Sequence, residues 1–137
     1  HIDRIVNVMP EVVSHNMETV RRLTREVRIQ AKYDQSLGVL RYLKQAGVRR
    51  TKSGIMLGLG ETEEEVKQTM VDLRDVDVDI VTIGQYLQPS KKHLPVKEFI
   101  TPDQFKVYED FGKEIGFRHV ESGALVRSSY KAHKHIA

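Results

Sequence analysis

The chain has 137 residues, of which 39% are hydrophobic and 30% charged, and its formal net charge is +3. This length and balance are typical of one soluble globular domain with a modest core. No apolar run approaches the roughly 20 residues that a membrane span needs. There is no cysteine, which excludes disulfides and any thiolate metal site made by this chain alone. The mildly basic composition suits an acidic partner, whereas nucleic-acid binding would need a more concentrated positive patch.

The chain opens on His1, with neither a start Met nor the apolar segment of a signal peptide. We therefore expect a cytoplasmic protein with no membrane partner, from which upstream residues have been lost. No low-complexity segment or change of composition divides the chain, so residues 1–137 are predicted to form a single segment.

The first half of the chain predicts a strand, a helix and a second strand. The apolar run at 11–16 indicates a short buried strand followed by a loop. A helix is expected from Asp34, its predicted cap, to Gly47, which should end it. The apolar face of this helix is predicted to comprise Leu37, Leu40, Tyr42, Leu43 and Ala46. The segment TKSGIMLGLG, at 51–60, then indicates a strand that runs into a glycine turn.

The next two elements continue the alternation. A helix is predicted over 61–76, with a capping box between Thr62 and Glu65 and with acids in the first turn that suit the helix dipole. The segment DIVTIGQYLQP, at 79–89, indicates a buried strand that Pro89 ends.

The last helix and strand complete the pattern. Residues 101–117 predict a helix with Thr101 as cap, Pro102 at the first position and Gln104 closing a capping box. A short strand is expected within 118–125. Strands and helices that alternate in this way predict an α/β fold with a parallel sheet and right-handed crossovers.

Chemistry in parallel α/β proteins lies at the carboxyl ends of the strands. In this chain all four predicted strand ends are polar or glycine-rich, which favours a functional site at that edge of the sheet. In chain order these residues are Ser14, His15, Asn16, Glu18, Thr19, Gly58, Gly60, Glu61, Gln85, Tyr86, Gln88, Ser90, Ser122, Arg127, Ser128, Ser129 and Tyr130.

Each of these motifs also has a structural interpretation. The GLGE segment at 58–61 fits a tight turn as well as a ligand contact, because glycine adopts positive φ at little cost. His15 and Asn16 fit a turn, and Gln85 fits a side chain that pairs with buried backbone. The acids at 61–65 fit a solvated helical turn, and Arg127 to Tyr130 fit a surface loop.

Two basic segments are open in the same way. The loop Lys91-Lys92-His93 fits either plain solvation or the docking of an acidic partner. The tail histidines His133 and His135 have a spacing that can hold a metal, although exposed tail histidines are usually inert.

The segments HNMETV, YDQSL, TKSGIMLGLGETEEEV, TIGQYLQPS, HLPV and VRSSYKA occur here in this order. Together they resemble the C-terminal half of lipoyl synthase, a family of radical S-adenosylmethionine (SAM) enzymes, over nearly the whole chain. Gly54, Met56, Gly58 and Glu61 also fit the broader radical-SAM pattern G-x-I-x-G-x-x-E, with Met in place of Ile. The resemblance implies the later strands of a partial TIM-type (β/α) barrel, with 122–137 as a C-terminal segment that carries the RSSY motif.

The resemblance also implies a reaction. In lipoyl synthases one [4Fe-4S] cluster cleaves SAM to a radical, which abstracts hydrogen from C6 and C8 of an octanoyl chain. A second, auxiliary [4Fe-4S] cluster gives up two sulfur atoms to form the lipoyl group. The octanoyl chain is linked to a lysine of a carrier, either the lipoyl domain of a 2-oxoacid dehydrogenase E2 component or the glycine cleavage H protein. An electron donor is a further expected partner, and no nucleic acid is expected.

Roles for single residues follow from the resemblance. Ser129 would ligate an iron of the auxiliary cluster, and its neighbours Arg127, Ser128 and Tyr130 would support the cluster loop. Iron–sulfur clusters prefer thiolates, and a hydroxyl ligand is a harder, mismatched donor. The residues expected to contact SAM are Asn16, Arg28, Gly54, Met56, Gly58, Gly60, Glu61, Gln85 and Leu87.

The departures from the family pattern leave three hypotheses open. The cysteines that bind both clusters in lipoyl synthases are absent, so we expect this chain to be inactive alone and to need a missing N-terminal half. Alternatively, it is an inactive half-barrel that binds a carrier protein or a cysteine-bearing partner chain. A basic nucleic-acid binder is the third hypothesis, and the absence of regularly spaced aromatic residues argues against it. Ala124 stands where the family commonly has Pro, a minor change in a loop.

Overall fold

The structure, a computed structural model, describes residues 12–17 and 33–126. These residues form four strands and three helices in strict alternation, as the sequence predicts. In chain order they are β1 (Val12–Ser14), α1 (Tyr33–Gln45), β2 (Arg50–Leu57), α2 (Glu63–Asp75), β3 (Ile80–Gln85), α3 (Pro102–Glu114) and β4 (His119–Ser122). None of the helices in these described ranges is long and apolar enough to cross a membrane.

The four strands form one parallel sheet in the order β1-β2-β3-β4. Each strand therefore pairs with the strand that follows it in the chain. The connections between the paired strands contain α1, α2 and α3 in turn. Consecutive parallel strands joined by helices are the arrangement of a β/α barrel wall. The predicted α/β fold and its parallel sheet are confirmed, and the described sheet corresponds to part of such a barrel.

The hydrophobic core lies between the sheet and the helices. Side chains alternate between the two faces of a strand, and alternate positions such as Ile55, Val81 and Ile83 contribute to one cluster with side chains of all three helices. The helices supply Leu40, Val66, Met70, Leu73, Phe105 and Tyr108 to this cluster. The other face of the sheet, which we call the inner face, is defined by Ser14, Lys52, Gly54, Met56, Thr82 and Gly84.

The predicted caps of α2 and α3 both form, and only one predicted side-chain contact, at the start of α3, differs. The Thr62 hydroxyl accepts from the Glu65 amide and the Glu65 carboxylate accepts from the Thr62 amide, which is a complete capping box before α2. The Thr101 hydroxyl caps α3 by accepting from the Gln104 amide. The prediction that the Gln104 side chain closes a second box is wrong, because its amide nitrogen donates to Glu63 instead, at 2.8 Å.

Three other local predictions are wrong. Asp34 is not a cap but the second residue of α1, because that helix begins at Tyr33. Tyr42 and Ala46 were expected on the apolar face, yet Tyr42 is 39% exposed and Ala46 lies in the exposed turn after the helix. The third strand ends at Gln85, four residues before Pro89, because the chain there leaves the sheet to begin a long loop.

Candidate functional site

The glycine turn that follows β2 is built around one buried carboxylate. Glu61 is only 9% exposed, and its two oxygens accept from the Gly58 amide at 3.0 and 3.1 Å. One of these oxygens also accepts from the Leu59 amide at 3.1 Å. The Glu61 carboxylate therefore accepts from backbone amides that have no backbone acceptor in a turn with positive φ at Gly58 and Gly60. The prediction of a solvated acidic turn holds for the exposed Glu63 and Glu64 but is wrong for Glu61.

A long loop, residues 86–100, lies against this turn. The Gly58 carbonyl accepts from the amides of Lys97 (2.7 Å) and Glu98 (3.2 Å), and the Leu57 carbonyl accepts from the Tyr86 amide at 2.7 Å. Both ends of the loop are thus hydrogen-bonded to the carboxyl end of β2. The loop belongs to the same edge of the sheet as the glycine turn.

The Gln85 side chain is hydrogen-bonded to both ends of the loop of residues 86–100. Its side chain is 3% exposed, its amide nitrogen donates to the carbonyls of Tyr86 and Glu98 at 3.0 Å, and its oxygen accepts from the Ile100 amide at 2.9 Å. Gln85 therefore pairs with backbone, which is the structural alternative to a SAM contact at this position. The strand register puts Gln85 opposite Leu57, on the face that packs against the helices rather than on the inner face.

Gly58 has no room for a side chain. Its φ is +109°, and an added Cβ would lie 2.4 Å from the Gln85 amide nitrogen and 2.5 Å from the Glu98 carbonyl oxygen. At Gly60, where φ is +101°, an added Cβ would lie 3.3 Å from the Cδ atom of Lys97. The two glycines therefore admit residues 97 and 98 of the loop beside them, and their expected contact with SAM stays a prediction.

The inner face of the sheet carries small and polar side chains near its carboxyl edge. Gly54 pairs with Thr82, and Met56 pairs with Gly84. Thr82 is 1% exposed, and its hydroxyl, like the buried hydroxyl of Ser14, has no hydrogen-bond partner in the structure described here. Buried hydroxyls are nearly always paired, so each of these two, on β1 and β3 with β2 between them, marks a position where a polar group would be stabilised.

Gly84 brings the chain after β4 to the same place. An added Cβ at Gly84 would lie 2.3 Å from the Val126 carbonyl oxygen and 3.6 Å from the Met56 sulfur. The turn that presents Val126 is held by two backbone bonds, from the Gly123 amide to the Ile83 carbonyl (3.0 Å) and from the Val126 amide to the Gly123 carbonyl (3.2 Å). The chain therefore enters the RSSY segment from the carboxyl end of β3.

The structure describes most of the predicted SAM contacts. Gly54 and Met56 lie on the inner face, Asn16 is half-buried two residues beyond β1, and Leu87 is 49% exposed at the start of the loop. The predictions for Arg28, and for Arg127, Ser128, Ser129 and Tyr130, fall on residues outside the described ranges, as do those for the tail histidines.

Three inner-face residues were missed from the sequence. Lys52 is fully buried, Thr82 has an unpaired hydroxyl, and Gly84 admits a carbonyl. The period-2 alternation of β2 and β3 held a usable signal, because a lysine and a threonine inside runs of buried residues need a polar reason to be there.

A small group of ionisable side chains lies where α2 and α3 begin. Burial above all raises the pKa of Tyr108 to about 12, with the nearby carboxylates of Glu63 and Glu61 adding to it and a hydrogen bond with Gln104 acting against it. The hydrogen bond from Gln104 and then that from Lys67 lower the pKa of Glu63. The group ties the first turns of the two helices together beside the glycine turn.

The comparison with protein families includes the carboxyl end of β2 and the glycine turn. The profile described as the radical SAM superfamily matches residues 1–73, a range that includes the glycine turn and Glu61. The chain belongs to the radical SAM superfamily. The segment from Gly54 to Glu61, which fits a radical-SAM pattern in the sequence, lies within the matched range and is folded around the buried Glu61 carboxylate.

Curated relatives confirm the narrower resemblance. The chain is 81% identical over 136 residues to the lipoyl synthase of Flavobacterium johnsoniae, 79% to that of Christiangramia forsetii and 78% to the mitochondrial lipoyl synthase of Nematostella vectensis. Each match covers 99% of this chain but only 46–47% of the relative. The chain thus spans about half the length of the curated relatives it matches.

The described residues fit the two expected cofactors unequally. The inner face carries two unpaired buried hydroxyls, which suit a polar molecule such as SAM. For a metal cluster, residues 12–17 and 33–126 contain no group of three or more histidine, cysteine, aspartate or glutamate side chains placed so that it could hold a metal ion. The described part of this radical SAM chain therefore fits SAM and supplies no cluster site.

Proposed function

We propose that this chain is the C-terminal part of a lipoyl synthase, which inserts two sulfur atoms at C6 and C8 of an octanoyl-lysine on a carrier protein. The observation that supports the proposal most is the identity of about 80% to lipoyl synthases over 99% of the chain. The carboxyl edge of the sheet adds a turn of the family pattern and an inner face with unpaired hydroxyls.

The residues of the inner face would bind and orient SAM. Gly54 has no side chain, and the Met56 side chain on the same face of β2 would give an apolar surface beside it. The hydroxyls of Thr82 and Ser14 would each gain a partner, which removes the cost of burying them unpaired, about 1–3 kcal/mol for each group. When bound, SAM and the iron–sulfur clusters supply the radical and the sulfur atoms. Apolar lining around this site would exclude water from the octanoyl chain.

The remaining roles rest on the resemblance. Asn16, Arg28, Gly58, Gly60, Glu61, Gln85 and Leu87 are proposed around SAM, with Glu61 and Gln85 holding backbone rather than ligand in the structure. Ser129 is proposed as the one cluster ligand of this chain, with Arg127, Ser128 and Tyr130 around it. The cytoplasmic location and the electron donor stay predictions.

A chimera tests the proposal. This chain would replace the matching segment of the Flavobacterium johnsoniae lipoyl synthase, so that the rest of that protein supplies what lies outside the chain. We expect the chimera to restore lipoylated carrier proteins, measured by mass spectrometry, in bacteria that lack their own lipoyl synthase. A chimera that folds and binds iron as the parent does, but forms no lipoyl group, would overturn the proposal and favour an inactive binding module.

Ser129 has its own test within the chimera. We expect Ser129→Ala to abolish lipoyl formation and to change the spectrum of the auxiliary cluster, while Ser128→Ala retains more activity. Equal activity of the chimera and its Ser129→Ala variant would contradict the ligand role.

A further inference from the structure

The loop of residues 86–100 presents a positively charged surface. It contains Lys91, Lys92 and Lys97 against a single carboxylate, Glu98. All four side chains are exposed. Since the whole chain has a formal net charge of +3, this loop carries much of the excess.

These lysines differ from those of the helices. Four lysines elsewhere are neutralised within the fold, in the pairs Lys44–Asp79, Lys67–Glu63, Lys106–Asp110 and Lys113–Glu109, at 2.9–3.1 Å. Across the described residues, no carboxylate pairs with Lys91, Lys92 or Lys97. The loop therefore presents cations whose partners are not in the described fold.

The loop is also fixed in shape. Besides its anchors at Gly58 and Gln85, the Tyr86 hydroxyl donates to the Leu94 carbonyl at 2.7 Å. The Gln88 amide donates to the His93 carbonyl at 2.9 Å, and Ser90 contacts the His93 ring at 2.9 Å. Loops closed by their own contacts in this way are frequently functional. Lysines on such a loop are presented from defined backbone positions.

Apolar side chains flank the charges. Phe99 is 70% exposed and Leu125 is 91% exposed. Each adjoins a residue that lines a shallow cleft of about 300 Å³ between the start of α3 and the turn after β4. The cleft lining includes Ile100, Pro102, Phe105, Gly123 and Ala124. Exposed apolar groups beside a charged rim are the composition of a protein–protein contact.

We propose that the loop of residues 86–100 and this cleft dock the carrier domain, through acidic residues around its octanoyl-lysine. The loop lies at the carboxyl edge of the sheet, so a carrier held there would present its lysine arm to the inner face. The loop cations are all lysines, without the arginine forks that favour phosphate groups. Charge complementarity and apolar contact together thus favour an acidic protein over a nucleic acid. This inference rests on the proposed function.

The test uses the active chimera and a matched pair of double variants. Lys91→Glu with Lys92→Glu reverses two charges on the loop. Arg41→Glu with Arg118→Glu reverses two exposed charges outside the loop and the cleft. The substrates are an octanoylated lipoyl domain with acidic residues beside its lysine, and a short octanoyl-lysine peptide with neutral flanking residues.

We expect the loop variant to raise KM for the lipoyl domain about tenfold at low salt, with kcat unchanged, because rim charges act on encounter. The difference should shrink as ionic strength rises. The control variant should leave this KM within about twofold of the parent.

Three outcomes would overturn the docking role while the chimera itself stays active. The first is an unchanged KM for the lipoyl domain. The second is an equal loss with the peptide, which would mean that the loop acts inside the protein. The third is an equal loss in the control variant. An inactive parent chimera would instead count against the proposed function, so the two failures are distinguishable.

Discussion

Replacing Gly58 with alanine tests how the glycine turn holds the loop of residues 86–100. The new Cβ would lie 2.4 Å from the Gln85 amide nitrogen and 2.5 Å from the Glu98 carbonyl oxygen, where real contacts are longer than 3 Å. The two atoms are themselves joined by a 3.0 Å hydrogen bond. The substitution therefore forces Gln85 and the loop apart.

A matched substitution separates this contact from backbone strain. Gly47 has nearly the same φ, +103° against +109° for Gly58, but an added Cβ there meets nothing within 4 Å. Both variants have the strain of a side chain at positive φ, about 1–2 kcal/mol. Only Gly58→Ala adds overpacking, about 1–3 kcal/mol, and the weakening of a buried hydrogen bond, about 1 kcal/mol.

Trypsin cleavage in the loop measures the difference. Cleavage at Lys91, Lys92 and Lys97 in the chimera follows the population of the open loop when reclosing is fast. An excess of about 2 kcal/mol corresponds to a roughly 30-fold faster cleavage in Gly58→Ala than in Gly47→Ala. Cleavage rates of the two variants within threefold of each other would refute the reasoning.

Three further predictions concern single side chains. Glu61→Ala should cost about 2–3 kcal/mol and speed hydrogen exchange of the two turn amides, with Glu61→Gln milder; unchanged exchange would contradict this. Gly84→Ala should displace Val126 and reduce lipoyl formation by the chimera, whereas Gly38→Ala, whose added Cβ meets nothing within 4 Å, should not; equal effects would count against it. The unfolded tyrosine ionises near pH 10 and Tyr108 only at about 12, so its contribution to stability is present below pH 10 and is lost as pH rises towards 12. Between pH 9 and 11 that loss is about 1.3 kcal/mol, and urea unfolding of Tyr108→Phe should lack it; parallel pH curves would refute the assignment.

The order of elements was readable from the sequence because it depends on local chemistry. The capping box at Thr62 and the proline after Thr101 fix helix starts within one turn, and the structure has both. The end of the third strand was not readable, because its apolar run continues as far as Leu87. What ends the strand is a long-range contact, the grip of Gln85 on residues 98 and 100.

The site was predictable only in outline. Polar strand ends located the carboxyl edge correctly, and the glycine pattern located the turn. The sequence could not show that the Glu61 carboxylate is buried against backbone amides, because its neighbours at 63–65 are acids of an exposed helical turn. The same limit hid Thr82, since which face of a strand is covered by helices depends on pairing between distant segments.

The backbone of Gly58 is hydrogen-bonded on one side to the loop of residues 86–100 and on the other to Glu61. Its carbonyl accepts the backbone amides that anchor the far end of the loop, while the amide of the same residue is held by Glu61. A ligand that shifts this residue must therefore shift the surface that we assign to carrier docking. By thermodynamic reciprocity, whatever factor a bound cofactor applies to carrier affinity, the carrier applies to cofactor affinity. If a bound cofactor strengthens carrier docking, the docked carrier strengthens cofactor binding by the same factor, and if it weakens docking the carrier weakens cofactor binding equally.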